Sequence, residues 1–392
     1  MVQLPMNFGS AVGMQGNRCS KPLRACQELA MTTTQPSSPQ SPRRTSSAAQ
    51  QRRSRRGRAA GSSVAIAVEP TFVAGAGMRS RVFAHTVKLT VKPVLDVWGR
   101  YPGLVWPAGL LDYGARYLQP TRGIGRHRVH LDNCAAEWWE HGVSRGAAST
   151  GEASTGEETA GAGTAILYLH GGGFMTCGLN THRVLALRIG AASQASVLTV
   201  DYRMLPRYSI AESVADCISG YRWLLDRGFT PDRIVVAGDS AGGFLTFSTA
   251  LALAGLGLPQ PAGLVALSPL TDLDPTMKLA RAEGRECPLI PSSVLLTLAE
   301  IAGRADGETP TVSPVDGVLT GLPPVLIQVG STEMLYVDAE LMAQRLGAAG
   351  VPVVLEVWDR QVHVFQAAAD ILPEAARAVA RIGEFVRDRV EG

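Results

Sequence analysis

The 392-residue chain has six cysteines, Cys19, Cys26, Cys134, Cys177, Cys217 and Cys287, scattered without metal-ligand spacing or a tight framework. That excludes a zinc module and a disulfide-stapled secreted scaffold, and it predicts free thiols in a reducing compartment. No stretch of ~20 apolar residues is present to cross a bilayer. No secretory apolar segment of adequate length follows a charged start. A cytoplasmic location is the resulting expectation. Acidic residues are almost missing from positions 1–60, where Glu28 stands alone against ten basic residues, while the remainder holds 27 basic and 33 acidic residues. The formal net charge of +3 therefore describes neither part.

Residues 1–64 are predicted to be a disordered basic tail. The stretch from Ser37 to Ser63 is rich in Ser, Arg, Gln and Pro and too poor in apolar side chains to offset its ordering entropy. Arg43-Arg44 and Arg52-Arg53-Ser54-Arg55-Arg56 have the character of a lipid-touching, nucleic-acid-touching or transit-like segment. The preferred reading is plainer: a solvated tail, or upstream sequence with the real start at Met31 or Met78. No aromatic residues interleave with the arginines, so a nucleic-acid partner is disfavoured. Membrane contact through the tail is not favoured either.

What the chain does have is a 46% hydrophobic composition and enough length for a sizeable core. Its most informative segment is Gly238-Asp239-Ser240-Ala241-Gly242, directly after the apolar β-branched run Ile234-Val235-Val236-Ala237 and directly before a helical pattern from Phe244 to Leu253. A serine at a sharp strand-to-helix turn is held in a strained conformation with its hydroxyl exposed, and Gly238 and Gly242 remove collisions with strand and helix. The helix start also aims backbone N–H groups at the site. Ser240 is the predicted nucleophile. A second apolar strand, Ala165 to Leu169, ends in His170-Gly171-Gly172-Gly173-Phe174. Residues without side chains let backbone donors approach a tetrahedral oxyanion. The N–H groups of Gly172 and Gly173, with that of Ala241, are the predicted donors. His170 is read as organising the loop rather than as the base.

These segments resemble the hormone-sensitive-lipase-like carboxylesterases of the α/β-hydrolase superfamily. The resemblance rests on His170-Gly171-Gly172-Gly173, Asp201-Tyr202-Arg203-Met204-Leu205-Pro206, Gly238 to Gly243, Ser268-Pro269-Leu270-Thr271-Asp272-Leu273 and His363-Val364-Phe365. It covers roughly residues 85–390 in the family's order. It implies a mostly parallel central sheet with helices on both faces, a helical cap, and cofactor-free, metal-free hydrolysis of short- to medium-chain acyl esters. The chain departs from the family after the Tyr-Arg pair, where Leu205 to Ile210 replace the usual Ala-Pro-Glu segment without removing a catalytic group.

In this fold the triad runs Ser, then Asp or Glu, then His. His363 is the only histidine downstream of Ser240 and lies in a loop after the strand-like run Val353 to Trp358, so it is the predicted base. The acid should follow the strand Pro324 to Val329. Where the family usually has Asp, this chain has Glu333, the preferred acid. Asp338 is the rival, read as a surface carboxylate on a helix.

The hydrolase domain is expected over 80–390, with the cap contributed by about 80–125 and 275–306 and a polar loop insertion at 143–162. That insertion holds a tandem pentapeptide, Ala148 to Glu152 and Ala153 to Glu157. His127 to Asp132 and Ala135 to His141 read as an antiparallel opening pair. Cys177, just past the glycine loop, reads as a pocket-lining thiol or, more plainly, a small packed hydrophobe. Competing functions are a lipase or amidase with the same triad, or a non-catalytic small-ligand receptor on the same scaffold. The receptor reading is weakened because such receptors lose a triad member and His363 is retained. Oligomeric state is not legible.

Overall fold

The computed structural model describes residues 66–103, 108–116, 124–144, 163–282, 287–305 and 310–391. The tail expected over 1–64 and most of the insertion expected over 143–162 lie outside the described residues. In chain order the elements are β1 (Thr71–Val73), α1 (Met78–Arg100), α2 (Ala108–Ala115), β2 (Ile124–His130), β3 (Ala135–Ser144), β4 (Thr164–Leu169), α3 (Leu179–Ser193), β5 (Ala195–Asp201) and α4 (Ile210–Asp226). They continue with β6 (Ile234–Asp239), α5 (Ala241–Gly255), β7 (Gly263–Leu267), α6 (Thr276–Ala282), α7 (Ser292–Ala305), β8 (Val325–Gly330), α8 (Tyr336–Ala348), β9 (Val353–Trp358) and α9 (Pro373–Glu391).

The strands form one sheet in the order β1-β9-β8-β7-β6-β4-β5-β3-β2. All neighbours are parallel except β2 with β3 and β3 with β5. The central strands β6, β7 and β8 are buried along their whole length, which is why they read as continuous apolar runs rather than as an alternation. Period-two geometry still sorts their side chains. Leu167, Leu169, Val236 and Leu264 face α4, α5 and α8, whose Tyr221, Phe244 and Met342 complete that layer. Ile166, Tyr168, Val235 and Ala237 face the opposite way, onto Leu185 and Ile189 of α3 and Ile382 and Val386 of α9.

β4 pairs with β5 on one side and β6 on the other, so the chain reverses its winding direction at β4. In an open parallel sheet, loops leaving the strand ends diverge at such a point and open a crevice. The glycine loop follows β4 and Ser240 follows β6, so topology alone puts both at that crevice.

The sheet extends upstream of position 80, where the hydrolase domain was expected to begin. β1 pairs in parallel with β9, Phe72 opposite Val357, and the N–H of Ile66 donates to Gly347 O at 2.7 Å. Three residues are too few to carry a periodic signal, and their partner lies far away in sequence. α1 and α2 fall in the first stretch expected to be helical, α6 and α7 in the second. α1 packs on α7 through Thr297 Oγ1, which donates to Gly99 O at 2.5 Å, and Ser293 Oγ, which donates to Asp96 Oδ1 at 2.8 Å.

Candidate active site

Ser240 sits between β6 and α5 at φ 54°, ψ −118°, a left-handed backbone that a non-glycine residue adopts only when its surroundings enforce it. The enforcement is visible: its N–H donates to Leu267 O at 2.9 Å and its carbonyl accepts from Leu270 N–H at 3.0 Å. The flanking glycines are required by space. A Cβ on Gly242 would come within 1.9 Å of Leu169 O, and one on Gly238 within 2.3 Å of Gly242 O.

The glycine loop is held from beneath by Asp239. Its Oδ1 accepts from Tyr168 Oη at 2.6 Å and from Gly171 N–H at 3.2 Å, and its Oδ2 faces His182 Nε2 at 3.2 Å. Burial alone would raise the Asp239 pKa, but His182 and the hydrogen bonds hold it below the usual carboxylate value. For His182 the same balance runs the other way: burial opposes its charge, yet Asp239 raises its pKa. His170 stacks on Tyr202, ring centroids 4.3 Å apart, and its Nδ1 lies 2.7 Å from Gly171 O. Burial first, and the nearby His182 second, push its pKa down to about 4, so it is neutral at pH 7. Gly172 and Gly173 then turn with φ 116° and 61°. Among the described residues no acceptor takes the N–H of Gly172, Gly173 or Ala241.

Glu333 follows β8 and is buried. Its Oε2 stands 2.7 Å from His363 Nδ1, a pairing in which the imidazole donates Nδ1–H and Nε2 is left as the acceptor. Oε1 of Glu333 accepts from Ser268 Oγ at 2.8 Å and also from Gly330 N–H. Ser268 Oγ in turn accepts from Val364 N–H at 3.0 Å, so one hydroxyl joins the acid turn to the histidine loop. Asp338 requires a correction. It is on a helix but buried, paired with Lys278 Nζ at 3.0 Å and accepting from Thr271 N–H at 2.8 Å and Asp272 N–H at 3.1 Å. Burial raises its pKa, with Lys278 and the amides pulling the other way. Hydropathy could not show this, because a buried ion pair and an exposed one read alike in sequence.

Three contributors were not singled out beforehand for these roles. His182 lies one turn inside α3; Ser268 lay in a quoted motif but had no assigned part. Asp112 of α2 accepts from Asn180 N–H at 3.0 Å and Thr181 N–H at 2.8 Å, capping the start of α3. Cys177, at φ 69°, is half-buried and unbridged, and burial chiefly pushes its thiol up to about 11. Around the Tyr-Arg motif, Arg203 pairs with Asp216 at 2.9 Å. Among the described residues, no group of His, Cys, Asp or Glu is arranged to hold a metal ion.

A parallel-sheet core, a strained serine at the switch point and a buried His–Glu pair on loops leaving the same ends of the parallel strands define a hydrolase-type site. Residues 166–367 match the family model of the alpha/beta hydrolase fold. The chain is 39% identical to an esterase, LipU of Mycobacterium tuberculosis, over 76% of this chain and 99% of that protein. It is 35% identical to the carboxylesterase/phospholipase LipF of the same organism, over 80% and 83%. Among solved structures, EstE5 soaked with p-nitrophenyl butyrate superposes with a TM-score of 0.67 at 34% identity, covering 81% of this chain and all of that one. An esterase described as belonging to the bacterial hormone-sensitive lipase family gives 0.63 at 34%, over 76% and 97%. The chain belongs to the hormone-sensitive-lipase-like group of the α/β-hydrolase fold family.

Proposed function

We propose that the protein is a serine carboxylesterase that cleaves short- to medium-chain acyl esters through an acyl-enzyme. The observation that carries this reading is the buried 2.7 Å His363–Glu333 pair, on loops at the same sheet edge as the strained Ser240. In this mechanism Nε2 of His363 takes the Ser240 hydroxyl proton as Oγ attacks the ester carbonyl carbon. The carbonyl π pair moves onto oxygen, giving a tetrahedral oxyanion. Glu333 fixes the tautomer and stabilises the imidazolium that forms.

The N–H groups of Gly172, Gly173 and Ala241 receive the oxyanion, and a single such donor is worth ~3–4 kcal/mol of transition-state stabilisation. Collapse of the intermediate breaks the bond to the alkoxy oxygen, which leaves with the proton from His363. Water, deprotonated by His363, then attacks the acyl-enzyme and releases the acid. Asp239, held by His182 and Tyr168, positions the donor loop through Gly171 N–H.

The paired α1–α7 helices, with α2 and α6, act in this reading as a cap over the acyl site. A p-nitrophenyl ester series from acetate to palmitate tests the proposal. Turnover on the short and medium chains that disappears in Ser240→Ala supports it; no turnover on any member refutes it.

A further inference from the structure

α1 is 23 residues long, yet only Ser80 and Gly99 are buried. Its inward contacts are few. Gly77 N–H donates to Glu374 Oε1 at 2.7 Å and Ser80 Oγ to Glu374 Oε2 at 3.0 Å. Lys92 Nζ donates to Cys287 O at 2.9 Å, and Phe83 and Ala84 pack near Trp358. The outward face carries apolar residues where a surface helix normally carries charge. Met78, Val82 and Leu89 are 74%, 58% and 62% exposed; Val91, Val94 and Val97 are exposed as well, at other angles around the helix. At about 100° per residue Met78, Val82 and Leu89 fall within an arc of roughly 40°. Single exposed apolar side chains need no explanation, but a stripe along one helix face does.

Charge identifies the occupant. α1 bears Arg79, Arg81, Lys88, Lys92 and Arg100 against one acid, Asp96, which is already paired with Arg100 at 2.9 Å. A second copy laid on this face would bring like charge against like charge. Residues 1–60, with ten basic residues and one acid, would do the same. An anionic, apolar surface satisfies both the stripe and its basic flanks, the recognition pattern of a helix lying in a bilayer interface. Among the described residues no helix is long and apolar enough to cross a membrane, so the contact is adsorption.

We propose that the outward face of α1 docks the protein on anionic lipid, with Met78, Val82 and Leu89 inserted and Arg79 and Arg81 over the headgroups. The location suits the chemistry above. Lys92 Nζ ties α1 to Cys287 O, just before α7, so the docked helix is part of the cap proposed above. The inference goes beyond ester hydrolysis and requires no catalytic residue.

The test is sedimentation of the full chain with phosphatidylcholine vesicles, with and without phosphatidylglycerol, at low and high salt. Thermal unfolding of the double variant Val82→Glu/Leu89→Glu verifies its fold, since both sites are exposed. The expected result is partition onto the phosphatidylglycerol vesicles that weakens with salt. It should fall at least about tenfold on phosphatidylcholine alone and in the double variant. Three outcomes overturn the proposal. One is no partition on either lipid. Another is partition unchanged in the folded double variant, which would move the contact to another basic segment, residues 1–60 first. The third is self-association that the variant abolishes without any lipid binding, which would make a second copy the occupant.

Discussion

The ends of β4 and β6 that carry the glycine loop and Ser240, the crest of the sheet, and the helix α1 are built by opposite rules. At the crest, Asp239, Glu333, Ser268 and Asp338 are buried and each is tied to partners from distant parts of the chain. In α1, by contrast, two of 23 residues are buried. Buried, mutually bonded groups keep a reacting geometry fixed, while a sparsely packed element has little to lose when it changes surroundings. The two proposals above use that difference, chemistry in the first region and contact in the second.

The largest effect is expected at the nucleophile. Ser240→Ala and His363→Ala are each expected to lower ester turnover by ~10⁴–10⁶ with circular dichroism unchanged, because both act in one proton-coupled attack. Glu333→Gln keeps the shape but loses the anion, with an expected loss of ~10³–10⁴ in turnover and little change in unfolding. Asp338→Asn should do the reverse. It leaves Lys278 buried without its carboxylate, so urea unfolding should register a loss of ~3–5 kcal/mol while turnover of the folded enzyme changes less than about threefold.

Two glycines sharpen the contrast between the regions. Gly242→Ala drives a methyl into Leu169 O and should destabilise by more than ~4 kcal/mol. Gly114→Ala, in the last turn of α2, meets no atom within 4 Å and should change stability by less than ~1 kcal/mol. The smallest effect is a pH dependence. The folded pKa of His182 lies above its ordinary 6.5, so its ion pair with Asp239 contributes fully below that value and fades as pH rises through the folded pKa. The lowered Asp239 pKa means the same pair is lost again in acid, as pH falls below 3.8 and through its folded value. The melting-temperature difference between wild type and His182→Gln should therefore be largest near about pH 5–6.5 and shrink toward about pH 9.

Much of the crest was legible because it is local. Strand, turn and helix around Ser240 occupy one short segment, and the fold's order singled out the lone downstream histidine. The apolar runs from Ala165 to Leu169 and from Ile234 to Ala237 marked two of the central strands. What escaped was written across sequence distance. β1 has three residues and a partner nearly 290 positions away. Asp338 looked like a surface charge because Lys278, its partner, lies on another helix. The helical period in α1 was visible, but which face turns inward depends on Glu374 and α7, and no local signal reports that.

The most direct test of the central claim is stoichiometric labelling with a fluorophosphonate ester followed by peptide mass mapping. The account predicts one phosphonyl group per chain, on the peptide containing Ser240, formed rapidly in the wild type. Labelling should be at least ~10³-fold slower in His363→Ala and in Glu333→Gln. Label on a different serine, or labelling of Ser240 at an unchanged rate in both variants, would contradict it.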